Sequence, residues 1–103
     1  MQYELEIQGK VERKVDRILY YLENNKKNHQ AVVNFLDEYE ECLKDIVDSP
    51  ESYAFCTDDR LRNFGYKHKH FSTMRYKLIY RIEDKTVLIE GIYHDLEDFE
   101  NAL

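Results

Sequence analysis

Between Arg60 and Ile82 the sequence places seven Lys or Arg residues (Arg60, Arg62, Lys67, Lys69, Arg75, Lys77, Arg81) and two His (His68, His70), with no Asp or Glu among them. The remaining residues hold 8 cations and all 21 carboxylates, so a net charge of −6 divides into +7 in this segment and −13 outside it. Seven like charges repel one another, and such a cluster makes physical sense as a surface that faces an anion. Strand alternation would gather it. Lys67 and Lys69 fall on one face of a strand, and Arg75, Lys77 and Arg81 share a face of the next, opposite Tyr76, Leu78 and Tyr80. With the apolar face packed on helices, the cations would form a platform on rigid strands that either faces an anion or simply solubilises the exposed side of the sheet, with His94 beside it at the end of the last strand. His94 is equally compatible with a simple hydrogen-bonded pair with Asp95.

The elements that must carry this platform are legible as periodicities. Tyr3, Leu5 and Ile7 alternate with Gln2, Glu4 and Glu6, which predicts a half-buried strand ended by Gly9. From Lys10 to Asn25, Val11, Val15, Ile18 and Leu22 form one helical stripe, and Asn24, Asn25 and Asn28 mark a turn. From His29 to Val47 the stripe recurs in Val32, Phe35, Leu36, Tyr39, Leu43 and Ile46, and Asp48-Ser49-Pro50 stops it. The short connection predicts an antiparallel helical hairpin. Glu51 to Asp59 reads as irregular. Beyond the basic strand, Phe71 to Met74 reads as a turn into a strand over Arg75–Ile82, Glu83-Asp84-Lys85 as a hairpin turn, and Thr86–Tyr93 as the next strand. Asp95–Leu103 predicts a short helix with Leu96, Phe99 and Leu103 on one side. The expected architecture is α+β: an antiparallel sheet with the helical hairpin on one face, all within one domain over residues 1–103.

Composition sets the limits around that picture. The chain of 103 residues is long enough for one core, 43% hydrophobic, with one Pro and three Gly. Its start, MQYELEIQGK, lacks the apolar run of a signal peptide, and no stretch has the length of a membrane span, so a cytoplasmic protein is expected. Cys42 and Cys56 fit no zinc spacing and read as two reduced thiols; no cofactor or metal is expected. Tyr3, Tyr39, Tyr76 and Tyr80 fall on apolar faces and read as core, and His68 and His70 as partly packed side chains opposite the lysines.

Four motifs in order carry a family resemblance: Ser49-Pro50-x-x-Tyr53 closing the second helix, Gly65-Tyr66-Lys67 opening the basic strand, Tyr76 to Ile82 (YKLIYRI), and Ile92-x-His94-Asp95 ending the last strand. Together they resemble the RelE/ParE superfamily of toxins from bacterial type II toxin-antitoxin pairs, over nearly the whole chain. The resemblance implies an N-terminal strand, a helical hairpin, a three-stranded antiparallel meander and a short C-terminal helix. It also implies a growth-arresting toxin with a cognate antitoxin as partner, in systems associated with plasmid stabilisation.

Two activities share that scaffold, so the fold does not decide between them. RelE-like members cut messenger RNA on the ribosome; ParE-like members bind and poison DNA gyrase. For an mRNA interferase the resemblance places Lys67 and Lys69 as the paired strand lysines, Lys77 where an Arg is usual, Arg81 as a further cation and His94 where several branches have a catalytic His. Attack of a ribose 2′-hydroxyl on phosphate needs such a base, charge stabiliser and acid. The run after His94, Asp95-Leu96-Glu97-Asp98-Phe99, departs from the family's Arg and Tyr. The alternatives are a ParE-like gyrase inhibitor acting through its hairpin and tail, or a member without toxicity.

Overall fold

A computed structural model describes residues 2–103. A four-stranded sheet, in the order β1-β4-β3-β2, is built from β1 (Glu4–Ile7), β2 (Lys67–His70), β3 (Tyr76–Glu83) and β4 (Thr86–His94). The meander β2-β3-β4 is antiparallel as expected, but β1 joins β4 in parallel, so the sheet is mixed. A parallel partner needs a long crossover, and the helical hairpin supplies it.

The hairpin follows the predicted stripes. Helix α1 (Gly9–Tyr20) buries Val11 and Val15, and Ile18 and Leu22 pack against the core from its side. At Tyr21–Asn25 the helix widens into a π-turn whose bond from Lys26 N–H to Tyr21 O is 3.1 Å. Lys27 then takes a left-handed conformation, φ 49°, and the Asn28 side chain caps helix α2 (His29–Asp48) by accepting the Ala31 N–H at 3.0 Å. Phe35, Cys42 and Ile46 are the buried positions of α2, meeting Leu78, Tyr80, Val87, Ile89 and Ile92 of the sheet. Tyr80 is fully buried and its hydroxyl donates to Pro50 O at 2.5 Å, tying the end of α2 to the central strand.

The stretch read as irregular, Glu51 to Asp59, holds no more than the end of a 3₁₀ turn at Pro50–Ser52, but a helix not foreseen follows it. Asp58 caps a short helix, α3 (Asp59–Asn63), through the Leu61 N–H at 3.0 Å. Leu61 is buried, with Cys56, Ile79 and Tyr93, in a second small core on the other face of the sheet, completed by Tyr66, Phe99 and Leu103. The closing segment makes one 3₁₀ turn at Phe99–Asn101 instead of a helix, and Leu96, predicted to pack beside Phe99, is 86% exposed. Among the described residues no helix is long and apolar enough to cross a membrane.

Candidate functional site

The register between β2 and β3 decides where the cations point. Lys67 pairs with Tyr80, His68 with Ile79, Lys69 with Leu78 and His70 with Lys77. Directly paired residues share a face. Lys67 and Lys69 therefore lie on the helix side with Leu78 and Tyr80, while Lys77 and Arg81 lie on the far side with His68 and His70. The expected platform uniting Lys67, Lys69, Lys77 and Arg81 does not form: it is divided between the two faces of the sheet. The far face is not bare either, because α3 and the closing segment cover Ile79.

Each candidate cation is already engaged. Lys67 is 7% exposed; its aliphatic stem packs inward, its ammonium donates to Tyr53 O at 2.8 Å and stands 3.7 Å from the centre of the Phe55 ring. Lys69 donates to His70 O at 3.1 Å and borders a crevice of about 20 Å³ shared with Glu38, Glu41 and Asp45 of α2. That space holds about one water. On that side carboxylates of α2 face this lysine, and its ammonium stands 5.3 Å from the centre of the Tyr53 ring.

On the far side, Arg81 Nε binds Glu90 at 2.8 Å and its Nη1 binds Glu83 at 2.9 Å, and the bond to Glu90 pushes its pKa further up. Glu90 reaches it because β4 carries one extra residue there: Ile79 pairs with Gly91 but Tyr80 with Ile89. Lys77 lies 4.1 Å over the Phe99 ring. His68 and His70 meet edge to face at 5.5 Å, His70 Nδ1 is 3.7 Å from Asp95, and burial, then His70 and Lys77, push the His68 pKa down.

His94 pairs with Tyr76 on the helix side, edge-on to its ring at 5.2 Å. Its Nδ1 accepts the Leu96 N–H at 3.2 Å and its own N–H donates to Glu97 at 2.9 Å. The ring nitrogen thus serves a local turn. The two thiols are free and buried, and burial pushes the Cys42 pKa up to about 12.

Three residues outside the candidate set organise these surfaces. Arg60 of α3 holds the closing segment, donating to Glu100 O at 2.5 Å and Leu103 O at 2.9 Å. Phe99 covers Lys77 and tilts against Tyr93 at 5.7 Å. Glu38 of α2 binds the turn before β3. Of these, Phe99 carried a signal, being the one aromatic in an acidic run. Lys67, Lys69 and His94 thus share the helix side of the sheet, while Lys77 and Arg81 lie on the far side.

A family model described as the ParE toxin of the type II toxin-antitoxin system parDE matches residues 5–99. A solved structure titled as a chromosomal ParDE toxin-antitoxin system from P. aeruginosa is similar in fold, with a TM-score of 0.71 at 14% identity, covering 90% of this chain and 96% of that one. No curated protein matches the chain.

Proposed function

This chain belongs to the ParE toxin family of type II toxin-antitoxin systems, and we propose that it arrests growth by binding a protein target, DNA gyrase in the manner of ParE-like inhibitors, without chemistry of its own. The observation that supports this reading is the division of Lys67, Lys69 and His94 from Lys77 and Arg81 across the sheet. A ribonuclease must bring a proton acceptor, a proton donor and cations within hydrogen-bond reach of one phosphate. A protein inhibitor needs only complementary surface, and exposed Tyr20 and Tyr21 at the hairpin, with Phe55, Phe64 and Leu96 elsewhere, provide apolar contact points. Membership of the family implies a co-encoded antitoxin, which we expect to bind tightly and, given the unequal charge distribution, with association slowing as salt rises.

The reading is tested by alanine substitution with growth as the readout. Lys69→Ala and His94→Ala should leave induced growth arrest intact, and paired changes at Tyr20 and Tyr21 should relieve it while the protein stays folded. Relief by either of the first two, with the tyrosine pair silent, favours the ribosome-dependent nuclease.

A further inference from the structure

The far face of the sheet brings together two imidazoles that inhibition by surface contact does not use. His68 and His70 are two residues apart on β2, so both side chains stand on one face, opposite Lys67 and Lys69. Their backbone is held from both sides. Ile79 and Lys77 of β3 pair with them, and on the outer edge the His68 N–H donates to Ala54 O at 3.1 Å. The turn that follows is fixed by Glu38. The two rings meet edge to face with centres 5.5 Å apart.

That separation matches a shared metal ion. An ion about 2.1 Å from one nitrogen of each ring, at a near-tetrahedral angle, sets the ring centres about 5 Å apart. The terminal torsion of a histidine side chain is soft, so one ring can turn out of the edge-to-face contact and aim its nitrogen at the ion while the strand stays in place.

The surroundings suit a ligand pair. Asp95 Oδ1 stands 3.7 Å from His70 Nδ1, and the Asp95 N–H is fixed on Arg75 O at 3.0 Å. A carboxylate beside Nδ1 favours the proton on that nitrogen and leaves the Nε2 lone pair for an ion, as carboxylates do for metal-bound imidazoles. Burial, then His70 and Lys77, push the His68 pKa down, which keeps that ring neutral at neutral pH. The His70 side chain is 54% exposed, so the pair opens to solvent. Lys77, across from His70, opposes a cation, although its ammonium lies over the Phe99 ring. Among the described residues no three His, Cys, Asp or Glu side chains form a ready metal cage, so the ion's other positions belong to water.

We propose that His68 and His70 chelate a divalent transition-metal ion of the zinc, nickel and copper class, with Asp95 as the positioning residue for His70 and water completing the coordination. Imidazole nitrogen suits these ions, whereas magnesium takes oxygen ligands. The site is independent of which target the chain inhibits.

The probe is nickel ion alone, titrated into the full chain by calorimetry, with the four His rings followed by NMR. Loss of an outer partner already costs metal sites about 10- to 100-fold, so His68→Ala and His70→Ala, which remove a ligand, should each weaken nickel binding at least about tenfold. Asp95→Asn should weaken it less and move the His70 ring proton away from Nδ1, read from the ring nitrogen shifts. Lys77→Ala removes a repelling cation and should tighten binding. Magnesium should not compete, and paramagnetic broadening should reach His68 and His70 before His29 and His94. Equal affinity in the unsubstituted chain and the His68→Ala/His70→Ala double variant, or simultaneous broadening of all four rings, means an adventitious ion only and overturns the proposal. Should the His variants fail to fold, Lys77→Ala keeps both ligands, and unchanged or weaker nickel binding there overturns it as well.

Discussion

The carboxylate of Glu38, midway along α2, closes on Thr73 in the turn between β2 and β3: Oε1 accepts the Thr73 N–H at 2.7 Å, and the Thr73 hydroxyl donates to Oε2. Met74 N–H adds a third bond at 3.0 Å. One acidic side chain thereby fixes the turn that sets how β2 lies against β3. Burial raises the Glu38 pKa, but these bonds outweigh it and hold the group below its ordinary 4.5. Glu97 is lowered in the same way: burial raises it, while the His94 N–H and Lys14 outweigh that effect. A carboxyl with a depressed folded-state pKa stabilises the fold above its unfolded value, and that contribution is lost as pH falls through the folded one. Urea midpoints should therefore fall below about pH 4.5, and Glu38→Gln should lower the neutral midpoint and flatten the acid-side slope. Solvent screening keeps the effect modest. An unchanged midpoint and slope in the Gln variant would contradict it.

That turn also explains what the sequence could and could not reveal. The faces of β3 follow from alternation alone, and Tyr76, Leu78, Tyr80 and Ile82 do line the main core. The face of β2 does not, because it depends on the pairing offset, and a slip of one residue exchanges the two faces of a strand. Lys67 is paired with Tyr80; paired with Arg81 it would have joined the platform. Nothing local in KHKH fixes this, since a lysine stem packs as readily as it solvates. The short helix after Asp58 was hidden by its five-residue length, too short for a periodic stripe. The second core draws on residues scattered from Cys56 to Leu103, which no window of sequence brings together.

The two faces of β3 predict unequal costs. Leu78→Ala should destabilise the protein by about 2–5 kcal/mol, because Leu78 is fully buried under α2. Lys77→Ala should cost under about 1 kcal/mol, the value of a solvated cation–π contact with Phe99. Chemical denaturation of both variants checks the pair. Equal losses would mean that the far face carries as much of the fold as the helix side.

Lys67 should behave as a structural residue. Truncation to Ala removes a buried stem and leaves the Tyr53 carbonyl without its donor, at a cost of about 1–3 kcal/mol. A stable Lys67→Ala protein that no longer arrests growth would return this lysine to the functional site.

Tyr80→Phe isolates one buried bond. Loss of the hydroxyl that reaches Pro50 O should cost about 0.5–2 kcal/mol, felt where α2 ends. Burial pushes the Tyr80 pKa up, followed by Tyr53 and Cys42, so this phenol should not ionise before the protein unfolds in alkali. Titration of tyrosine absorbance in the two proteins checks it: the difference between them should appear only with unfolding, and an earlier step present only with Tyr80 would contradict its burial.

The central claim, inhibition by binding and not by cutting, meets its most direct test in two assays run on one preparation of the toxin. Gyrase supercoiling of relaxed plasmid is measured beside cleavage of a ribosome-bound message in a translating extract. The division of the cations across the sheet predicts inhibited gyrase and intact message. Cleaved message with unaffected gyrase would contradict it and show that Lys67, Lys69 and His94 act on RNA without Lys77 and Arg81 on their face of the sheet.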